Sequence, residues 1–172
     1  MMISVKMQKA LNAQIGMEFA AAMKYDAMAA HFEAEALPQA AKRFFKQAGE
    51  EREHAHKFLR YVLDAGGRVQ IPEIPAQPHT YKSSEAAAQA ALDSEMAVTK
   101  SIHGLMDLAL EERDHATAAI LQWFVTEQVE EESAAKTIVD KLKLIGDNPV
   151  ALYMLDGELG QRTLPAPAAP TA

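Results

Sequence analysis

The chain contains no cysteine. Disulfides, zinc ribbons and thiolate-bound iron–sulfur clusters are therefore excluded, and any metal must be held by carboxylate, imidazole, amide or water. It also lacks an apolar run long enough to span a bilayer, and no hydrophobic leader core precedes the first helical pattern. The expectation is a soluble, cytoplasmic protein. Positive charge is in short supply: 17 Lys and Arg against 24 Asp and Glu leave a net charge of -7, with a pI near 5.4. Nucleic acid and anionic membranes are poor partners for such a surface, whereas cations are drawn to it. With 172 residues, 49% of them apolar, one domain can bury a sizeable core.

Four long segments carry apolar stripes at helical spacing. The first reads Leu11, Ile15, Glu18, Ala22, Tyr25, Ala29, Phe32 and predicts a helix over roughly 5–34. After a short link at Leu37-Pro38 the second reads Phe44, Ala48, Glu51, Ala55, Phe58, Val62 and stops at Gly66-Gly67, antiparallel to the first. The third is Ala88, Leu92, Glu95, Thr99, Ile102, Met106, capped by Ser83 or Ser84, helped by Glu85 in the first turn and ending near Arg113. The fourth is Ile120, Phe124, Gln128, Glu131, Ala135, Ile138, Leu142, Ile145, closed by Gly146.

Between the second and third segments, residues 66–82 hold Pro72, Pro75 and Pro78, too proline-rich for a helix and too long for a hairpin. Extended, this stretch spans about 55 Å, more than the roughly 42 Å of a 28-residue helix. It can therefore run the length of the bundle and leave the second and third helices parallel. An all-α, ferritin-like four-helix bundle with one long crossover follows from that connection. Asn148-Pro149 starts a short fifth helix through Val150, Leu152, Tyr153 and Leu155. The domain is expected to fill 1–160, with 161–172 a flexible Pro/Ala-rich tail.

Each stripe places a Glu or Gln near its midpoint, where parallel and antiparallel neighbours alike bring them to one height. Buried carboxylates are penalised by several kcal/mol when unpaired and repel one another when they converge. A multiply charged cation removes both penalties. Glu51 and His54, three residues apart, project from one helix face, and oxygen-rich sites with one imidazole suit iron or manganese. For any single member, a surface position or a buried ion pair is the simpler explanation; the joint alignment argues otherwise. The arrangement matches the known template of di-iron carboxylate bundles.

The order Glu18, Tyr25, Glu51-x-x-His54, Glu95, Trp123, Gln128-x-x-Glu131 resembles a bacterial non-haem ferritin over residues from about 5 to 160. The resemblance implies that Glu18, Glu51 and His54 bind one iron, and that Glu51 bridges to a second held by Glu95 and Glu131 with Gln128 beside it. It implies a third iron site at Glu50, Glu127, Glu130 and Glu131, and a hollow shell of 24 copies. Two departures matter. Bacterioferritins carry a second Glu-x-x-His where this chain has Gln128 and Glu131, so the two iron positions are unequal and one is held more weakly. Their haem-binding Met follows the bridging Glu, a position occupied here by Arg52, so no haem is expected. Where animal ferritins have acidic residues of a three-fold channel this chain has Ala118 and Leu121, which puts that way in for iron in doubt.

Tyr25 lies two turns after Glu18, so its hydroxyl can reach a metal-bound carboxylate or supply an electron to oxygen; a core tyrosine satisfied by one hydrogen bond fits the same spacing. Trp123 is read as packing, Glu132 as solvated, and His31, His56, His79, His103 and His115 as surface or interface residues. The expected activity is ferroxidation: Fe(II) is oxidised by O2 or H2O2 and stored as ferric mineral. A rubrerythrin-like peroxidase or other di-iron oxidase that keeps its metals is the alternative enzyme, and a bundle whose buried acids pair with Lys or Arg is the non-catalytic one.

Overall fold

The computed structural model describes residues 3–161. Its elements are α1 (Val5–Ala34), α2 (Pro38–Asp64), α3 (Ser84–Glu111), α4 (His115–Ile145) and α5 (Pro149–Gln161), with no strand among the described residues. Gln161 closes α5, and the rest of the expected tail, 162–172, lies outside the described residues. None of the helices is long and apolar enough to cross a membrane.

Three long helices begin with a cap of their own. Ser4, Ser83 and Asp114 accept hydrogen bonds from the amides of Met7, Ala86 and Thr117, satisfying groups that a helix leaves unpaired at its start. α2 has no such residue: its N-cap position is Leu37, followed by Pro38. The cap comes instead from α5, where the buried Asp156 carboxylate accepts from the amides of Ala40 at 2.8 Å and Gln39 at 3.3 Å. The carboxylate also meets the positive end of the helix dipole. Asp156→Ala is therefore expected to remove about 1–2 kcal/mol, lowering the thermal midpoint by about 2–8 °C and loosening α5. Calorimetry and limited proteolysis at the C-terminal end check this.

The turns joining α1 to α2 and α3 to α4 each take one residue through a left-handed conformation, Ala36 (φ 59) and Arg113 (φ 56). Both pairs are antiparallel hairpins. The crossover 65–83 follows the outer face of α1 along its length. Gln8 accepts from the Arg68 amide, Asn12 bonds both Arg68 and Gln70, and Tyr81 stands edge-on to His31 near the far end. Midway, Pro72 presses on Gly16, where a Cβ would lie 2.2 Å from the proline Cγ, so only glycine admits the strap. The strap delivers the chain to the far end, making α3 antiparallel to α1 and parallel to α2. Ser101 and Ser94 of α3 accordingly meet Gln14 and Lys24 of α1.

The apolar core is divided into layers. One end holds Met7, Leu11, Ile15, Val62, Ile102 and Leu121, with Phe58 stacked on Phe124 at 3.9 Å. The other holds Met28, Leu37 and Ala41, with Phe32 stacked on Phe44 at 5.0 Å. α5 adds Leu155 against Ile138 and Leu142. On α3 the buried face runs Ala91, Glu95, Val98, Ile102, Leu105; the expected Leu92, Thr99 and Met106 are half-buried flankers. The helix is shared between α1 and α4, and the α1 side rotates the buried stripe by one residue.

Candidate metal centre

The carboxylates lie in the gap between the two apolar layers. Glu18, Glu51 and Glu95 are at most 1% exposed, and Gln128 and Glu131 are buried with them. Ligand atoms of Glu18, Glu51 and His54 all fall within 4.8 Å of one another. His54 Nδ1 is 3.4 Å from Glu51 Oε2, and Glu18 Oε2 is buried with no hydrogen-bond partner. Across the bundle, Tyr25 donates a short hydrogen bond to Glu95 Oε1, and the Gln128 amide donates to Glu95 Oε2 at 3.3 Å and to Thr99 at 3.1 Å. Every helix of the bundle thus contributes to one polar layer.

This layer is electrostatically overloaded. Burial, then repulsion from Glu51, pushes Glu18 up to about 8. Burial with Glu51 and Glu131 raises Glu95 well above the carboxylate range, and burial with Glu51 raises Glu131 to about 7. For His54 burial acts to lower the pKa, but the hydrogen bond and charge of Glu51, with Glu18 and Glu131, outweigh it and lift it to about 9. Burial and the neighbouring carboxylates also raise Tyr25. The layer therefore holds protons at neutral pH that a metal cation would displace.

The remaining site candidates line one cavity of about 780 Å³ between α2 and α4. Glu50, His54, Glu127, Glu130 and Glu131 all face it. Ligand atoms of His54, Glu127 and Glu131 come within 4.8 Å of one another. Glu130 is exposed, and Glu50 is turned to Lys46 at 3.2 Å. Trp123 lies edge-on to His54, with the Lys57 ammonium 3.0 Å above its ring, so it lines the cavity as well as packing.

Residues 8–145 match the model of the Ferritin-like domain family. The chain belongs to the ferritin family. Among curated relatives, the bacterial non-heme ferritin of Staphylococcus aureus (strain USA300) is 38% identical over 162 residues, covering 94% of this chain and 98% of the relative. That of Staphylococcus haemolyticus (strain JCSC1435) is 37% identical over the same extent. Among solved structures, an open-pore ferritin from the hyperthermophilic archaeon Archaeoglobus fulgidus superposes with a TM-score of 0.91 at 42% identity, covering 94% of this chain and 99% of that one.

Several features of this ferritin were not anticipated. Gln14 and Gln47, one turn before Glu18 and Glu51, are buried amides bonded to those carboxylates. The available signal was a polar residue beside each stripe at the Glu-minus-four position. His31 is buried, not superficial, because the crossover covers that face of α1. His79, His103 and His115 are exposed, and His56 is half-buried against Phe19. Leu121 belongs to the apolar core, so its side chain faces inward rather than toward a neighbouring copy.

Proposed function

We propose that the chain is a ferroxidase and iron store: Fe(II) ions bind in pairs at the carboxylate layer, are oxidised to Fe(III) by O2 or H2O2, and leave to mineralise inside a shell of 24 copies. The observation that carries this reading is the convergence of Glu18, Glu51 and His54 in a dry core, with burial and the charges of Glu51 and Glu131 raising the pKa of Glu95. One Fe(II) is assigned to Glu18, Glu51 and His54, and the second to Glu51, Glu95 and Glu131 beside Gln128. Two Fe(II) supply the two electrons that take O2 to H2O2, or H2O2 to water. Hard oxygen donors favour Fe(III), and the shared Glu51 keeps the pair close enough to act together.

A neutral amide at Gln128 and a carboxylate in place of a second imidazole make the Glu95 side the weaker holder, which suits iron in transit over a resident cofactor. Glu50, Glu127, Glu130 and Glu131 are assigned to a third iron on the cavity side, a path away from the layer. The hydrogen bond from Tyr25 to Glu95 supports the role proposed for it, holding a metal-facing carboxylate or supplying an electron during oxygen reduction. Arg52 occupies the position after the bridging Glu51 where a haem-binding Met would stand, so no haem is proposed.

Anaerobic Fe(II) titration of the native assembly followed by air, read in the near ultraviolet, tests the proposal. A fast phase saturating near two Fe(II) per chain is expected, with ferric iron retained by the protein. The double variant Glu51→Ala, His54→Ala should lose that phase. Absence of the phase in the native protein, or its survival in the variant, overturns the assignment. Turnover without accumulation of ferric iron would point to a peroxidase or oxidase that keeps its metals.

A further inference from the structure

The pairing of Gln14 with Glu18 and Gln47 with Glu51 repeats one device on two helices: an amide one turn before a metal-facing carboxylate. Gln14 Nε2 donates to Glu18 Oε1 at 2.7 Å, while Ser101 donates to the amide oxygen and so sets which end faces the acid. Glu18 Oε2 is left buried and unbonded among the described residues. Gln47 Nε2 donates to Glu51 Oε1 and to Glu131 Oε2, both at 2.8 Å. The second of these hydrogen bonds crosses from α2 to α4, whose Cα atoms nowhere approach within 8 Å among the described residues. Each amide occupies one oxygen of its carboxylate and leaves the other for a cation.

We propose that Gln14 and Gln47 are positioning residues for the two metal positions, Gln14 acting on the Glu18 position alone and Gln47, through the shared Glu51 and through Glu131, on both. The inference rests on the two-metal reading above. The chemical choice of an amide is informative. A Lys or Arg would hold the same oxygens more firmly, but its charge would compete with the incoming metal. An apolar side chain would leave the carboxylates free to swing out of register, since outer-shell partners typically account for 10–100-fold in metal affinity. A neutral donor keeps the oxygens aimed without cancelling the charge that attracts the ion. Because Gln47 spans the mouth between α2 and α4, it also sets the separation of the carboxylates that meet there.

The test uses the native assembly with Co(II), a redox-stable probe in these conditions, followed by calorimetry and by fluorescence. Trp123, the sole tryptophan, touches His54 and so reports the Glu18 position. Near-isosteric Gln47→Met is expected to weaken both binding steps, the one that Trp123 does not report by about tenfold or more. Gln14→Met should weaken the Trp123-reported step alone and leave the other within about twofold. A purely structural role would weaken both steps in Gln14→Met as well. The inference is overturned if both steps move together in Gln14→Met, or if Gln47→Met leaves the step that Trp123 does not report unchanged. Failure of the wild-type protein to bind two Co(II) per chain would instead sink the two-metal reading on which it rests.

Discussion

Glu51→Gln is expected to abolish rapid Fe(II) oxidation and, in the metal-free protein, to raise the thermal midpoint. Both effects come from one charge. Glu51 stands between the two proposed iron positions, and it contributes to the raised pKa values of Glu18, Glu95 and Glu131. Without iron that charge is a liability, because it repels three buried carboxylates at once, and its removal with the shape kept relieves all three repulsions at the cost of one interaction with His54. Gln at this position still accepts from Gln47 and fills the same space, so the fold has no reason to adjust. With Fe(II) present the balance reverses, because the bridge between the irons is lost; the fast phase should fall by more than about 100-fold. Stopped-flow absorbance and calorimetry of the same preparation measure both. A variant less stable than the parent without metal would show that Glu51 is a structural acid.

The second large effect concerns pH. In the metal-free protein, stability is expected to fall steadily as pH rises from about 5 to 9. Glu18 is raised from 4.5 to about 8, Glu131 from 4.5 to about 7, and His54 from 6.5 to about 9. All three bind protons more tightly folded than unfolded. Their contribution is therefore complete below the unfolded pKa values and is lost as pH passes the folded ones. Metal displaces those protons, so affinity should rise over the same interval and Zn(II) at saturation should flatten the curve. Unfolding midpoints with and without Zn(II) across this range provide the measurement. A metal-free midpoint that climbs toward pH 9 would mean the carboxylates are not packed together.

Much of this was legible in the chain itself because helices repeat on a fixed angle. Glu18, Glu51, Glu95, Gln128 and Glu131 interrupt apolar stripes, and a stripe can face only the core, so their burial followed from spacing. The crossover followed from length and proline content, since no helix accommodates Pro72, Pro75 and Pro78. Gln14 and Gln47 were harder to see because they sit at the edge of their stripes, where a residue is buried or exposed according to how its neighbour is rotated. His31 was misplaced for a related reason: it lies off the seam of the four helices and is covered by the strap, which no periodicity reveals.

The sequence by itself determined the helices, their order, the parallel pairing forced by the crossover, and the set of acids sharing one depth, because each depends on local periodicity and chain length. The tertiary structure alone decided which oxygen meets which partner: Asp156 reaching from α5 to cap α2, Gln47 spanning α2 and α4, and Glu50 turned to Lys46 while His54, Glu127 and Glu131 converge. Those contacts join residues far apart in the chain, and their distances are set by how whole helices rotate and separate when the apolar layers pack.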